Sequence, residues 1–286
     1  MRARTWPAFS IAPPVPAVSS FSAGWLALRE PADHAARSKV LTRALVAALP
    51  GERPLRVLDL AAGTGSNARY LTAQLTGGQE WLLVDHDREL LAQALLQIGG
   101  DRPACRVETR ERDLARLTIA GRDILDGRAL VTASALLDLV SEEWLRELSV
   151  LCRESGAAVL FALSYDGRIH CSPEEPDDVV IRDLVNLHQR TDKGFGPALG
   201  AAATDVAARC FAGLVYRGRC APSDWVLTPD ESALQRELIA GWADAAIAIA
   251  PDQEMLVERW RACRLAHVDG RRSRLTVGHE DLAGWL

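Results

Sequence analysis

Lysine, paired cysteines and long apolar segments are scarce in this chain. Only Lys39 and Lys193 are lysines among its 33 basic residues, and the 38 acidic residues leave a net charge of −5. This balance argues against a large basic surface for nucleic acid. The six cysteines include no C-x-x-C pair. Their spacing therefore predicts neither a zinc site nor a disulfide framework, and reduced thiols are expected.

The chain also lacks an uninterrupted apolar stretch of about 18 residues, so no transmembrane helix is predicted. An uncharged segment follows Arg4 and extends to Leu28, as in a signal peptide. Four prolines between positions 7 and 16 break any apolar helix there. Residues 1–22 are therefore predicted to form an irregular arm on a cytoplasmic protein that does not bind membranes.

Short apolar segments alternate with helical ones in the first half of the chain. Predicted strands cover residues 55–60, 81–84, 104–109, 129–132 and 156–163. Strands that alternate with helices of about 10–15 residues predict βαβ units and a doubly wound parallel sheet covered on both faces. The length of 286 residues suits one or two domains. We predict an N-terminal arm and lid helix over 1–50 and one α/β domain over 51–286.

The second half of the chain reads differently. Strands are predicted at 214–220 and 274–277, and a helical pair split at Pro251 occupies residues 230–267. This pair is predicted to be an insertion before the last strand, acting as a lid or a dimer surface. Residues 22–49 are predicted to be helical, with Asp33 as a helix cap.

The strongest motif is the glycine loop Val57-Leu-Asp-Leu-Ala-Ala-Gly-Thr-Gly65, which lies between a predicted strand and a predicted helix. Gly63, Gly65 and Ala68 also satisfy the G-x-G-x-x-G/A spacing of dinucleotide sites. Asp59 argues against a dinucleotide site, because a carboxylate at the end of the first strand would repel a pyrophosphate. It suits a ligand that carries an ammonium group.

At these residues the chain resembles the class I S-adenosylmethionine-dependent methyltransferases, whose loop commonly reads D-x-x-x-G-x-G. The resemblance implies that the loop holds the methionine portion of the cofactor. It also implies that Asp85, which ends the second strand, binds the ribose hydroxyls. Asp113 would lie near the adenine amino group and Leu114 on the adenine face. A helix cap is the competing interpretation of Asp113.

The segment after the fourth strand, residues 133–138, would line the cofactor beside the substrate. A solvated helix position is the alternative for Asp138. The resemblance further implies a seven-stranded sheet with the last strand antiparallel and methyl transfer from S-adenosylmethionine to a small molecule. No metal is predicted. The predicted cofactor-binding residues are Asp59, Ala61, Gly63, Gly65, Asp85, His86, Asp113, Leu114, Ser134 and Arg37.

Two further segments carry polar residues that suit an acceptor pocket. Arg29 or Arg37 in the leading helix would pair with the methionine carboxylate, and a solvated amphipathic helix is the alternative. In the segment 186–197, His188 is the best general-base candidate, with Asp192 beside it. A structural hydrogen bond is the competing role for His188. A pocket between these segments, with 230–267 above it, would suit a small anionic acceptor.

Three other functions stay open at this stage. A nicotinamide-dependent oxidoreductase would share the glycine loop, but no hydride-transfer constellation is recognisable. A nucleic-acid methyltransferase is disfavoured by the net charge of −5. A non-catalytic S-adenosylmethionine-binding protein has the same sequence signature. A homodimer is a further option for the assembled state.

Overall fold

The computed structural model describes residues 21–49, 51, 54–98, 105–116 and 121–286. The predicted irregular arm over residues 1–22 therefore lies outside the described residues, apart from its last two. The same holds for the first residue of the predicted third strand.

Eight strands form one sheet in the described part of the chain, in the order β3-β2-β1-β4-β5-β8-β6, with β7 paired to β8. Strands β1 to β5 are parallel, and β8 runs antiparallel to both β5 and β6. The strands are β1 (Leu55–Leu60), β2 (Gln79–Asp85), β3 (Cys105–Glu111), β4 (Leu130–Ser134), β5 (Ala158–Ser172), β6 (Arg217–Pro222), β7 (Trp225–Leu227) and β8 (Arg274–Trp285).

Helices cover both faces of this sheet, so the predicted doubly wound α/β class is confirmed. The helices are α1 (Ala23–Ala36), α2 (Lys39–Ala48), α3 (Ser66–Gln74), α4 (Arg88–Ile98), α5 (Arg122–Leu125), α6 (Glu142–Ser155), α7 (Asp178–Gln189), α8 (Ala203–Gly213), α9 (Ser232–Ile249) and α10 (Glu254–Asp269). Apolar residues of β1 such as Val57, Leu58 and Leu60 are fully buried between the two helical layers. Each such side chain contributes about 1.5–3 kcal/mol to folding.

The sheet has one strand more than the seven predicted. The additional strand is β7, whose three residues are too few to show an alternating pattern. Strand β5 continues to Ser172, well beyond the predicted end at residue 163. The sequence turns polar after Leu163, and two irregularities in the pairing with β8 accompany that change.

The leading segment forms two helices where one was predicted. Ser22 caps α1 by accepting a hydrogen bond from the Trp25 N–H, and Ser38 caps α2 in the same way. The prediction that Asp33 caps a helix is wrong, because this residue lies inside α1 and is buried. Its carboxylate accepts two hydrogen bonds from Arg29 and one from the indole of Trp225.

The predicted helical pair between residues 230 and 267 is present as α9 and α10. It attaches to α7 through Asp178, which accepts hydrogen bonds from Trp260 Nε1 at 2.8 Å and Arg264 Nε at 2.9 Å. The Arg264 side chain is fully buried, so this charged pair fixes the orientation of the insertion. A role as lid or dimer surface stays a prediction.

Candidate functional site

A cavity of about 390 Å³ lies at the carboxyl ends of strands β1 to β4. This is where open parallel sheets bind ligands, and the volume is within the range of small-molecule sites. One end is lined by residues that follow β2 and β3, and the other by residues that follow β4. Helix α1 and the loop after α7 supply the remaining walls through Leu26, Arg29, Lys193 and Phe195.

The glycine loop forms the floor of this cavity. Its backbone is left-handed at Ala61, Gly63 and Gly65, with φ of 51°, 52° and 80°. Ala61 and Gly63 line the cavity, whereas Gly65 packs against α4 and lies outside the lining. Gly65 therefore shapes the turn between β1 and α3 without contacting the cavity.

Replacing Gly65 with alanine should destabilise the fold by about 2–3 kcal/mol. A left-handed backbone strains any residue with a Cβ, and the new atom would lie 2.7 Å from Ile98 Cδ1. Denaturant unfolding measures the loss. Gly213→Ala is the matched control, because a Cβ there meets no atom within 4 Å. Equal stability of the two variants would contradict the expectation.

Asp85 ends β2 and connects the loop to the cavity. Its Oδ2 accepts a hydrogen bond from the Gly63 N–H at 2.8 Å, and its Oδ1 accepts one from the Asp87 N–H at 2.9 Å. His86 Nδ1 lies 3.2 Å from the same Oδ1. The side chain is almost fully buried yet lines the cavity, and each carboxylate oxygen has a lone pair for a second hydrogen bond.

Asp59 lies one layer below the cavity, and the lining residue in front of it is Asn67. The Asn67 amide donates to Asp59 Oδ1 at 2.7 Å and to Thr132 Oγ1 at 3.1 Å. Burial raises the pKa of Asp59 to about 7, and the nearby Asp85 charge adds to that effect. Asn67 was not among the predicted site residues, although its place in the first turn of α3 directs it back toward the loop.

Arg37 does not line the cavity either. Its Nη1 donates to Asn67 Oδ1 at 2.7 Å, its Nε lies 3.5 Å from Asp281 Oδ2, and its guanidinium stacks on the ring of Tyr70. Arg29, which lies earlier in the chain within α1, is the arginine that lines the cavity. The predicted pairing of Arg37 with a carboxylate would thus have to act through Asn67.

The remaining predicted cofactor residues all line the cavity: His86, Asp113, Leu114 and Ser134. Asp113 Oδ1 also accepts a hydrogen bond from the Ala115 N–H at 2.9 Å, where a short 3₁₀ helix begins. Both interpretations of Asp113 therefore agree with its position. Leu114 is buried, and its carbonyl accepts from Trp144 Nε1.

The two catalytic candidates lie beside the cavity wall and not in it. Asp192 Oδ1 accepts hydrogen bonds from the backbone of Gly194 and Gly196, which folds the loop. His188 Nδ1 lies 3.4 Å from Lys193 Nζ, and burial together with the Lys193 charge lowers the pKa of His188. The residue of this loop that carries charge into the cavity is Lys193.

The sheet order defines the fold. The last strand, β8, is antiparallel, as the sequence resemblance implies, and it lies between β5 and β6. The fold is a Rossmann-like doubly wound α/β fold. No protein-family model matches the sequence, and no curated protein is significantly similar to it.

Several solved structures resemble the chain at a distance. A cyclopropane synthase from Mycobacterium tuberculosis matches with 11% identity and a TM-score of 0.48, covering 92% of this chain and 94% of its own. The YcgJ protein of Bacillus subtilis matches with 14% identity and a TM-score of 0.47, and the match covers 87% of this chain and 99% of YcgJ. Phosphoethanolamine N-methyltransferase 2 of Haemonchus contortus, solved with S-adenosyl-L-methionine, matches with 13% identity and a TM-score of 0.43. That match covers 87% of this chain and 52% of the methyltransferase chain. The function proposed below rests on this chain's own residues.

Both segments expected around the acceptor, 20–37 and 186–197, reach the cavity. Phe21, Leu26 and Arg29 come from the segment 20–37, and Lys193 and Phe195 from the segment 186–197. None of the residues from 230 to 267 lines the cavity described here. Their predicted position above the pocket is therefore not visible in the lining.

Helix α1 is fastened to α3 beside the glycine loop. Arg69 of α3 donates to Glu30 of α1 at 2.9 Å and to the carbonyl of Thr64. Across the residues described, no His, Cys, Asp or Glu side chains cluster as a metal site, and no helix is long and apolar enough to cross a bilayer.

Proposed function

We propose that this chain transfers a methyl group from S-adenosylmethionine to a small-molecule acceptor. The observation that carries the proposal is Asp85, a buried carboxylate that binds the glycine loop and still faces the cavity. Neutral ribose hydroxyls can donate to its unused lone pairs. The sulfonium of the cofactor supplies an electrophilic methyl group when it is bound.

The donor set around the cavity fits this cofactor from end to end. His86, Asp113 and Leu114 lie on the side of β2 and β3, where the adenosine would be held. Asn67 and the buried Asp59 behind it suit the ammonium of the methionine portion, because one Asp59 oxygen has no hydrogen-bond partner among the described residues. Ser134 is the last residue of β4 and would lie beside the transferred methyl group.

The acceptor would occupy the end of the cavity between α1 and the loop after α7. Phe21, Leu136, Leu139 and Phe195 give this end apolar and aromatic walls. Lys193 adds a positive charge whose Nζ lies 3.0 Å from Thr191 Oγ1 and 3.4 Å from His188 Nδ1 and forms no salt bridge with the described residues. A compact acceptor with an anionic group would pair directly with it.

Ligand titration distinguishes this function from nicotinamide chemistry. Calorimetry on the purified chain should show saturable binding of S-adenosylmethionine and S-adenosylhomocysteine and none of NAD. Saturable NAD binding together with no binding of S-adenosylhomocysteine would overturn the proposal.

The Asp85→Ala variant should bind S-adenosylhomocysteine about ten- to a hundredfold more weakly than the wild type. Charge-assisted hydrogen bonds of about 1.5–3 kcal/mol are lost, including the one that holds Gly63. Asp87→Ala removes a neighbouring lining carboxylate and is the matched comparison. Circular dichroism establishes that each variant is folded, and an unchanged dissociation constant in folded Asp85→Ala would refute the role of this strand end.

A further inference from the structure

The cavity carries opposite charges at its two ends. Its lining carboxylates Asp85, Asp87 and Asp113 lie at or after the ends of β2 and β3. The arginine and the lysine in its lining, Arg29 and Lys193, come instead from α1 and from the loop after α7. An anionic ligand is therefore repelled from the first end and attracted to the second.

Arg29 is held in place by the protein itself. Its Nε and Nη2 donate to the two Asp33 carboxylate oxygens at 2.9 and 3.2 Å, and its guanidinium stacks on the ring of Trp225 at 5.0 Å. Trp225 Nε1 donates to Asp33 as well, at 3.1 Å. Arg29 Nη1 donates to none of the described residues, so a donor remains on a guanidinium whose position is already fixed. Such preorganisation lowers the cost of binding an anion.

The contacts of Arg29 lie on the β5 side of the cavity and not at the glycine loop. Glu30 and His34 of the same helix contact α3, which begins at that loop. Arg29 instead contacts Trp225 of β7, and the β8 residues that pair with β7 also pair with the extended end of β5. Because the methionine portion of the cofactor is proposed to lie at Asn67 in α3, we assign Arg29 to the acceptor.

The lining residues at this end carry one uncompensated positive charge. Asp33 also lines the cavity, but Arg29 neutralises it, and Lys193 forms no salt bridge with the described residues. Asp138 is outside the lining, and the solvated position that the sequence left open for it is wrong, because the residue is only 6% exposed. A monoanion matches one positive charge, whereas a phosphate dianion would bring an unpaired negative charge into a partly buried site.

The walls at this end suit a flat apolar body. The ring of Phe195, two residues after Lys193, packs edge-on against Trp144, with the centroids 5.6 Å apart and the planes at 80°. Leu136 and Leu139 add apolar surface to the lining. An aromatic side chain that is fixed in this way offers a preformed surface to another ring.

We propose that Arg29 and Lys193 bind the carboxylate of the methyl acceptor, and that this acceptor is a monocarboxylic acid with an aromatic body. The assignment rests on the proposed methyl transfer, because the cofactor must occupy the acidic end of the cavity for the basic end to receive the acceptor.

Four probes separate the requirements when they are titrated by calorimetry into the chain saturated with S-adenosylhomocysteine. Benzoate carries both the carboxylate and the ring, benzamide lacks the charge, acetate lacks the ring, and phenyl phosphate carries a second negative charge. Benzoate should bind at least about tenfold more tightly than each of the other three. If benzamide or phenyl phosphate binds as tightly as benzoate, the assignment of a monocarboxylate is overturned, and equal binding of acetate overturns the aromatic body.

The Lys193→Gln variant tests the lysine, and Lys39→Gln is its matched control. Lys39 is the other lysine of the chain and lies exposed in α2. Lys193→Gln should bind benzoate about ten- to a hundredfold more weakly, with the affinities for benzamide and S-adenosylhomocysteine unchanged. Lys39→Gln should change none of the three. An unchanged affinity for benzoate in folded Lys193→Gln would overturn the role of the lysine.

Arg29 is tested in a variant that combines Arg29→Gln with Asp33→Asn. Removing both charges together leaves no unpaired charge from this buried pair, so the fold should survive. Affinity for benzoate should fall about tenfold while that for S-adenosylhomocysteine is retained. The reverse result, weaker cofactor binding with the affinity for benzoate retained, would assign Arg29 to the cofactor carboxylate and overturn this inference.

Failure of S-adenosylhomocysteine to bind the wild-type chain would overturn the proposed function, and this inference with it. Normal cofactor binding without a preference for benzoate would overturn this inference alone, so the two failures are distinguishable.

Discussion

Replacing Asp281 with alanine should lower the free energy of unfolding by about 3–5 kcal/mol. This carboxylate is fully buried and binds three partners from distant parts of the chain. Oδ1 accepts from the Leu163 N–H and Oδ2 from the Ser38 N–H, each at 2.9 Å, and Arg37 Nε lies 3.5 Å from Oδ2. The variant leaves the buried Arg37 guanidinium without its counter-charge and two backbone donors without their acceptor.

Urea unfolding of the wild type and the variant gives the difference directly. Asp183→Ala is the matched control, because its carboxylate is exposed and pairs with Arg182 at the surface. That control should lose less than about 1 kcal/mol. A loss of that small size for Asp281→Ala would show that the buried pair does not tie the leading helices to the sheet.

Cofactor affinity should fall by up to tenfold for each pH unit below about 7, because Asp59 takes up a proton there. Burial raises the pKa of this carboxyl group from its usual value to about 7, and only the ionised form attracts the ligand's ammonium. Ligand binding at a pH below 7 therefore favours release of the proton from Asp59. Calorimetry with S-adenosylhomocysteine between pH 5 and 8 measures the slope.

The raised pKa of Asp59 has the opposite effect on the stability of the unliganded protein, which falls as the pH rises. Because the folded-state pKa is raised, the native state retains a proton that the unfolded chain releases between about pH 4 and 7. The contribution of Asp59 to stability falls as the pH rises through that window and is constant above it. Three pKa units correspond to an energy on the order of 4 kcal/mol.

Asp59→Asn isolates both effects in one protein. It should be more stable than the wild type at pH 8, bind S-adenosylhomocysteine more weakly there, and show a flat affinity between pH 5 and 8. Asp87→Asn, which changes a half-buried carboxylate at the same end of the sheet, should retain the wild-type slope. A slope that persists in Asp59→Asn would assign the titration to another group.

Local patterns were enough to predict the sheet and its ligand-facing edge. Asp85, Leu114 and Ser134 reach the cavity because parallel strands end at one edge, a rule that depends on element order alone. Asp59 and Arg37 were predicted to bind the cofactor, and they lie one layer behind the cavity lining. The amide of Asn67 separates them from the cavity, and nothing in a linear sequence shows which of several polar residues lies in front.

The role of the loop after α7 was predicted only in part, for a related reason. His188 has the chemistry of a base, and Lys193 is one of two lysines, but their order along the loop does not reveal which of them faces inward. The turn built by Asp192 on two glycine N–H groups decides this and directs Lys193 to the cavity. Burial of Asp138 likewise depends on β5 and α1, both distant in sequence.

The position of β8 also governs how the chain reaches its native state. Strands β6 and β7 each hydrogen-bond to β8, which begins almost 50 residues after β7. During synthesis both strands therefore lack their pairing partner until β8 has been made. Asp281 on β8 then closes a contact with Ser38 across more than 240 residues. Such non-local contacts slow folding. The cavity walls formed by α1 are therefore completed late. A chain that ended before β8 would lose an interior strand of the sheet, which is more than an edge strand. It would also lose the contact between that strand and the leading helices.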